Sequence, residues 1–292
     1  MIPKEVLQKV RQIEIRTRSV VESVLSGEYQ SVFKGRGMEF SEVRTYMPGD
    51  DIRSIDWNVT ARMGEPYVKK YVEERELTVM LVVDASSSGS FGSVKQFKDE
   101  IAVELCALLA FSAIKNNDRV GLIIFTSEVE KYIPPKKGKN HVLRVIRELL
   151  YFKPEKKGTN IAEAIGYLNR VQRKKAVVFC VSDFLDSGFE APLRVASHRH
   201  DLIAITLTDP RELTLENVGL IELQDPESGR TMLVDTRSKV VRESFHKEAV
   251  KRAEKLRTFF KVHGIDEIPV LTEADYIEPL IKFFKKREKM YR

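Results

Sequence analysis

Four short and almost uninterrupted apolar runs constrain the fold of this 292-residue chain more than any other feature. Each is the length of a strand, and each lacks polar alternation, as expected for strands buried on both faces of a parallel sheet. Amphipathic segments with helical periodicity separate them, which is typical of a doubly wound sheet with helices on both sides. The runs are LTVMLVV (77–83), GLIIF (121–125), AVVFCV (176–181) and LIAITL (202–207). The sequence therefore predicts an α/β fold with a doubly wound, mostly parallel sheet.

The segments between and after these runs complete the predicted sheet. The helix after the first run has Phe97, Ile101, Leu105 and Leu108 on one face. A last strand, EIPVL at 267–271, contains a proline and therefore suits an edge position. The remaining predictions are a short strand at 129–133 and helices over 140–151, 161–168, 188–198, 239–262 and from about residue 274.

Two regions depart from this alternation. The N-terminal region begins with a helical stripe over residues 4–25 and continues as short strands and loops, of which Tyr67–Val72 is the clearest strand. Near the other end, two apolar runs flank the turn sequence DPESGR and predict a β-hairpin. We therefore predict a small N-terminal α+β region over residues 1–76. The larger domain, over residues 77–292, carries the inserted hairpin at about 214–236.

Composition and charge narrow the class of protein. The net charge is +6, but the basic runs are short and not interleaved with aromatic residues, which disfavours nucleic-acid binding without removing it as an alternative. Cys106 and Cys180 are isolated in apolar surroundings, which fits core packing in a reducing compartment. The charged N-terminus lacks the apolar core of a signal peptide, and no apolar run approaches the roughly 20 residues of a membrane helix. We expect a cytoplasmic protein without membrane insertion.

Polar side chains follow the first and third apolar runs. Asp84, Ser86 and Ser88 form a D-x-S-x-S pattern directly after the first run, Asp183 follows the third, and Thr159 lies between them in a glycine-containing loop. If the two strands are neighbours where the strand order reverses, the five side chains converge at the edge where α/β sheets bind ligands. Two carboxylates and three hydroxyls suit a hard divalent cation, Mg²⁺ first, with Mn²⁺ or Ca²⁺ as alternatives. Soft ligands are missing from the pattern, which disfavours zinc.

These five residues carry a family resemblance. Position by position, Asp84, Ser86, Ser88, Thr159 and Asp183 resemble the metal-ion-dependent adhesion site (MIDAS) of von Willebrand factor A domains. The order of predicted strands and helices after the N-terminal region resembles that fold as well. The resemblance implies that the hydroxyls bind the metal directly and that the two carboxylates act partly through water. It also implies that a carboxylate from a partner protein takes the remaining coordination position.

A second resemblance lies in the N-terminal region. The motifs GRGMEF (35–40), RTY (44–46), PGDDIR (48–53) and IDW (55–57) are similar to the signature of a bacterial family that is catalogued only as a domain of unknown function. That family is associated with MoxR-type AAA+ ATPases. The resemblance therefore implies that the partner is such an ATPase, together with its client protein.

The same N-terminal motifs have two interpretations. In the first interpretation, Trp57 and Phe40 fill a small core in which Asp56 and Arg53 pair. Tryptophan is mostly buried in proteins, and charges inside a protein need partners. Alternatively, Arg36, Arg53, Asp56 and Trp57 form a second contact surface for the ATPase. Alanine substitutions that abolish binding without unfolding the chain would favour the second interpretation.

The sequence thus predicts a non-enzymatic adaptor that uses Mg²⁺ to bind a protein partner in complex assembly or metal insertion. The alternative from another class is a metal-dependent phosphoryl-transfer hydrolase, because an aspartate after the first strand can act as a nucleophile. That chemistry usually needs a second carboxylate two residues later, where this chain has Ser86. A cationic group for the phosphate is not evident in the sequence, although Lys157 could reach.

Overall fold

The computed structural model describes residues 12, 13, 15, 29, 37–74, 76–86, 97–224 and 231–291. Contacts between residues divide the chain into two compact units, one of residues 33–77 and one of residues 78–292 together with 1–32. The helix predicted over 4–25 lies outside the described residues, apart from Gln12, Ile13 and Ile15, which are helical. The domain boundary predicted after residue 76 stays a prediction.

The smaller unit is built on a two-stranded antiparallel sheet. Strand β1 (Gly37–Thr45) pairs with β2 (Tyr67–Glu74), and the register shifts between Phe40 and Glu42. The strand predicted at Tyr67–Val72 is therefore confirmed.

A short helix connects these two strands. After a 3₁₀ turn at Ile52–Ser54, helix α1 (Trp57–Met63) begins at Asp56, whose side chain accepts hydrogen bonds from two backbone N–H groups of the first turn. Gly64 ends the helix in the left-handed conformation, with φ at 82°, which glycine adopts without steric strain. A connection of strands and loops without a helix was expected here, so the helix is a difference from the sequence prediction.

The larger unit alternates strands and helices, as predicted. The strands of its main sheet are β3 (Thr78–Asp84), β4 (Arg119–Phe125), β5 (Val129–Lys136), β6 (Val177–Ser182), β7 (Asp201–Thr208) and β10 (Asp266–Leu271). The helices are α2 (Lys98–Lys115), α3 (Lys139–Leu150), α4 (Ile161–Val171), α5 (Glu190–Arg199), the single turn α6 (Pro210–Leu213), α7 (Lys239–Val262) and α8 (Ile277–Tyr291). A separate antiparallel pair, β8 (Leu220–Gln224) and β9 (Thr231–Asp235), forms the predicted hairpin.

The main sheet has six strands in the order β10-β7-β6-β3-β4-β5. All neighbours pair in parallel except β5, which is antiparallel to β4 at one edge. Strand β10 forms the other edge of the sheet. Pro269 is tolerated there because an edge strand has no further neighbour that would need its missing backbone N–H. The predicted α/β class with a mostly parallel sheet is confirmed.

Apolar side chains fill both faces of the sheet, which explains the uninterrupted runs in the sequence. Residues Val79–Val83 of β3 are between 0% and 2% exposed. On one face, Met80 and Val82 belong to a cluster with buried residues of α4, α5 and α7. The other face is covered by α2, which contacts β3, β4 and β7. No helix in the described part of the chain is long and apolar enough to cross a membrane.

Candidate metal centre

Two carboxylates lie at the carboxyl edge of the sheet where its strand order reverses. The chain continues from β3 to its neighbour β4 and later returns to β6 on the opposite side of β3. Asp84 is the last residue of β3, and Asp183 directly follows β6. Because Val83 pairs with Val181, the two strand ends lie side by side. The neighbour relationship that the predicted site requires is therefore present, at the point where α/β sheets bind ligands.

The Asp84 carboxylate is held by two hydrogen bonds. Its Oδ1 accepts from the backbone N–H of Ser86 at 2.9 Å, and its Oδ2 accepts from the hydroxyl of Ser182 at 2.7 Å. Burial raises the pKa of Asp84 to about 6; the Ser182 hydrogen bond opposes this rise, and the negative charge of Asp183 adds to it. The ionised carboxylate is therefore costly in the free protein, and a bound cation would remove much of that cost.

The turn after Asp84 is fixed against the neighbouring strand. The backbone N–H of Ala85 donates to the carbonyl of Phe125, the last residue of β4, at 2.9 Å. Ser86 follows in this turn and is only 4% exposed, so it lies within the edge of the sheet. Ser88, the third residue of the D-x-S-x-S pattern, lies outside the described residues.

The loop of Thr159 is tied to the same edge from two sides. The backbone N–H of Asn160 donates to the carbonyl of Thr126, directly after β4, at 2.8 Å. The backbone N–H of Ile161 donates to the carboxylate of Asp186, in the loop after β6, at 2.9 Å. Gly158 makes the bend possible, with φ at 87°. Thr159 thus lies in a loop anchored beside the ends of both strands that flank β3.

A buried lysine accompanies the two carboxylates. Lys98, the first residue of α2, is 2% exposed, and its ammonium group donates to Oδ2 of Asp183 at 3.1 Å. The same ammonium group also donates to Oε1 of Glu212, in α6. The second Asp183 oxygen, Oδ1, accepts from the backbone N–H of Leu185 at 3.2 Å. Asp84, Lys98, Ser182 and Asp183 line one small pocket.

Neither Lys98 nor Glu212 was predicted from the sequence. The sequence predicts Phe97, Ile101 and Leu105 on the buried face of this helix, but Phe97 is 49% exposed and Lys98 is buried in its place. The available signal was helical spacing, because Lys98 lies three residues before Ile101 and seven before Leu105. Glu212 gave no such signal, since it contacts Lys98 only in the folded chain, across 114 residues.

The donor set at this edge fits Mg²⁺. Carboxylate and hydroxyl oxygens are the hard ligands that Mg²⁺ prefers, and the cation can keep several waters in its shell. Among the described residues there is no cluster of three or more histidine, cysteine, aspartate or glutamate side chains placed to hold a metal. A cation here would therefore depend on Asp84 and Asp183 together with hydroxyls. Ser86, Ser88 and Thr159 are the hydroxyl residues of the predicted set.

The two cysteines are buried in the core. Cys106 in α2 and Cys180 in β6 are free thiols, and both are at most 1% exposed. Burial raises the pKa of Cys106 to about 12 and raises that of Cys180 as well, so neither thiol ionises readily. They fill the core, as their apolar surroundings in the sequence indicated.

The N-terminal motifs differ from the core interpretation. Trp57 is 66% exposed, so it does not fill a small core. Asp56 does not serve an ion pair with Arg53: its carboxylate caps α1 and lies 3.6 Å from the Lys69 ammonium, and the backbone N–H of Val59 is the main cause of its lowered pKa. Arg53 is exposed. Trp57 is the first residue of α1 and is exposed there.

Arg36 and the side chain of Phe40 lie outside the described part of the chain. Whether Arg36, Arg53, Asp56 and Trp57 contact a partner therefore stays a prediction.

Solved structures that are similar to this chain have low sequence identity to it. An aerotolerance-related membrane protein from Bacteroides fragilis is 18% identical, with a TM-score of 0.49, over 73% of this chain and 99% of that one. BatB from Bacteroides thetaiotaomicron is 17% identical, with a TM-score of 0.47 and the same coverage. The VWA domain of SpRpn10 is 9% identical, with a TM-score of 0.40, over 71% and 95% of the two chains.

Sequence relatives cover either almost the entire chain or part of it. An uncharacterised protein of Mycobacterium tuberculosis is 32% identical over 286 residues, covering 96% of this chain and 89% of its own. The uncharacterised protein YeaD of Bacillus subtilis is 28% identical over 109 residues, covering 37% of this chain and 25% of its own. The profile of the family described as "Protein of unknown function DUF58" matches residues 42–255. The chain therefore belongs to the DUF58 family.

Proposed function

We propose that this protein is a non-enzymatic adaptor that binds a protein partner through a divalent cation, Mg²⁺ in the first instance. The observation that supports it most is the side-by-side position of Asp84 and Asp183 at the reversal of strand order, beside the buried Ser86. In this proposal the hydroxyls of Ser86, Ser88 and Thr159 hold the cation directly. The carboxylates of Asp84 and Asp183 hold it partly through water.

The chain's own residues prepare this edge for an acidic partner group. Hydrogen bonds from Ser86 and Ser182 fix the Asp84 carboxylate, and the Leu185 backbone fixes Asp183. When bound, the cation would supply an electrophilic position for a carboxylate of the partner. Both proteins would present negative charge at such a contact, and like charges repel. Binding would therefore require the metal between them.

The partner in this proposal is a MoxR-type AAA+ ATPase, acting with a client protein in complex assembly or metal insertion. Support for this choice is the resemblance of the motifs between Gly35 and Trp57 to the signature of the family, to which the chain belongs. The exposed Trp57 and Arg53 offer a second surface for the same partner.

The first test is a calorimetric titration of the full chain with MgCl₂. Wild type is expected to bind Mg²⁺, and Asp84→Ala to lose binding by at least about tenfold, because a buried carboxylate is removed from the donor set. Glu254→Gln is a matched control, since Glu254 is an exposed carboxylate on α7.

The same proteins are then used to capture the purified MoxR-type ATPase of the same organism, with Mg²⁺ or with EDTA.

Capture that requires Mg²⁺ and is lost in Asp84→Ala but not in Glu254→Gln supports the proposal. Capture that persists in EDTA and in Asp84→Ala contradicts the metal bridge and directs attention to the surface of Arg53 and Trp57.

A metal-dependent phosphoryl-transfer hydrolase is the second candidate, and one contact favours it. Lys98 provides beside Asp183 the cationic group that such an enzyme needs near a phosphate. The second carboxylate two residues after Asp84 is still missing, because Ser86 occupies that position. Turnover of a phosphate ester by wild type, lost in Asp84→Asn, would support this candidate over the adaptor.

A further inference from the structure

Lys98 is an internal cation within the candidate metal centre. Its side chain is 3% exposed, and a lysine is seldom so buried unless its charge is paired. The ammonium group donates to Asp183 on one side and to Glu212 on the other. One positive charge is thus shared between a carboxylate of the metal centre and a carboxylate outside it.

Glu212 is held in position independently of Lys98. Its Oε2 accepts from the backbone N–H of Asp209 at 3.0 Å, which closes a capping arrangement around α6. Asp209 is itself fixed, because its Oδ2 accepts from the hydroxyl of Thr272, directly after β10, at 2.9 Å. Glu212 therefore stays available as a partner for Lys98 whatever happens at Asp183.

A divalent cation and the Lys98 ammonium group would compete for the same carboxylate. Two positive charges within a few ångströms repel each other strongly inside a protein, where the effective dielectric constant is well below that of water. An ammonium group that left Asp183 without another partner would be buried and uncompensated, which is costly. The bond to Glu212 removes the cost of a buried ammonium group without a partner.

We propose that Lys98 is a built-in counter-ion of the metal centre. It neutralises Asp183 while the centre is free, and it transfers its bonding to Glu212 when a divalent cation binds. Lys98 and Glu212 together therefore set the affinity of the centre for metal. Lys98 competes with the cation for Asp183, and Glu212 binds the Lys98 ammonium group when the cation displaces it. This inference rests on the proposed metal-dependent function and names a regulation of the same site.

The proposal predicts opposite effects for the two partners of one ion pair. Lys98→Met removes the competing charge and is expected to tighten Mg²⁺ binding by roughly tenfold. Glu212→Gln removes the negative charge that attracts the Lys98 ammonium group away from Asp183, and it is expected to weaken Mg²⁺ binding by a similar factor. A merely structural ion pair would change the affinity in the same direction in both variants, because either substitution would disturb the same packing.

Calorimetric titration of the full chain with MgCl₂ measures the affinities, with denaturant unfolding in EDTA and in Mg²⁺ as a second readout. Lys115→Met, at the exposed end of α2, and Glu216→Gln, an exposed glutamate after α6, are matched controls that should bind as wild type does. Lys98→Met is expected to gain more stability from Mg²⁺ than wild type gains. If Lys98→Met does not fold without metal, Lys98→Gln and Glu212→Gln still give the comparison of signs.

Opposite shifts in the two variants support the proposal. If Asp84→Ala abolishes Mg²⁺ binding while the Lys98 and Glu212 variants keep the wild-type affinity, or shift it in one direction, the role of Lys98 is overturned and the metal centre stands. If Asp84→Ala binds as wild type does, the metal centre and the role of Lys98 are both overturned.

Discussion

The carboxyl group of Asp84 lies where burial and a second carboxylate, that of Asp183, both oppose its ionisation. Its pKa rises from an ordinary value of 3.8 to about 6 in the folded chain. Below about pH 4 the group is protonated in both states and has no effect on stability. Between about pH 4 and pH 6 it ionises in the unfolded chain first, so the free energy of unfolding falls. Above pH 6 the loss is complete and amounts to roughly 3 kcal/mol.

The predicted fall in the free energy of unfolding with rising pH can be checked by urea denaturation of the metal-free wild type and of Asp84→Asn between pH 4 and pH 8. The variant lacks the titrating group, so other carboxyl groups cancel in the comparison. Wild type is expected to lose stability relative to Asp84→Asn as the pH rises through this window, and then to keep a constant difference. Parallel curves across the whole range would show that Asp84 ionises normally in the folded chain.

Single residues were predictable where strand ends determine their position. Asp84, Ser86 and Asp183 follow buried strands, and parallel strands bring their carboxyl ends to one edge, so the sequence was enough to group them. Lys98 was not predictable in the same way, because its partner Glu212 reaches it only in the folded chain. Residue type alone left Trp57 with two interpretations, a core residue or a contact residue, and only the folded chain shows that it is exposed.

At the scale of elements, the Gly158 loop connects the candidate metal centre to β4 and β6. Its φ of 87° is unfavourable for a side chain, and the nearest atom to an added Cβ, Cβ of Ser127, is at an ordinary distance of 3.8 Å. Gly158→Ala is therefore expected to cost about 1–2 kcal/mol in backbone strain and not through a clash. The strain is expected to move Thr159 and to weaken Mg²⁺ binding.

Gly138 offers a control for this loop variant. It has a comparable φ of 95° with open space around it, and it begins α3 after β5, whose antiparallel direction places that end at the opposite edge of the sheet. Gly138→Ala should lose similar stability while Mg²⁺ affinity stays at the wild-type value. Calorimetric titration and urea denaturation of both variants test this; an equal loss of affinity in the two would mean that general destabilisation is responsible.

Elements were predictable where burial or a turn sequence leaves a clear pattern. The central strands β3, β4, β6 and β7 are buried on both faces and leave continuous apolar runs. The hairpin of β8 and β9 is largely exposed, and its signal is the turn sequence between the two strands. Helix α1 has only seven residues and no buried one, so hydrophobic periodicity could not reveal it. Its start depends on the Asp56 cap and its end on Gly64, and such local signals were present but were assigned to loops.

At the scale of the whole molecule, two compact units present different chemistry for a partner. The larger unit carries the candidate metal centre, where negative charge and hydroxyls dominate. The smaller unit exposes large apolar side chains, namely Met47, Ile52, Trp57 and Met63, each more than 60% exposed. Exposed aromatic and apolar residues of this kind are common in contact surfaces, and tryptophan is frequent among the residues that contribute most to binding. A partner that used both units would depend on metal for only part of its affinity.

Substitution of Trp57 separates these two contributions. Because the side chain is 66% exposed, Trp57→Ala is expected to change the free energy of unfolding by no more than about 0.5 kcal/mol and to leave Mg²⁺ affinity unchanged. Capture of the MoxR-type ATPase is expected to weaken by about tenfold or more, with Mg²⁺ still required for the remainder. Asn58→Ala, at the next exposed position of α1, controls for effects on the helix itself. Undiminished capture by Trp57→Ala would confine the partner contact to other residues, whereas a loss shared by Asn58→Ala would point to the helix and not to the indole ring.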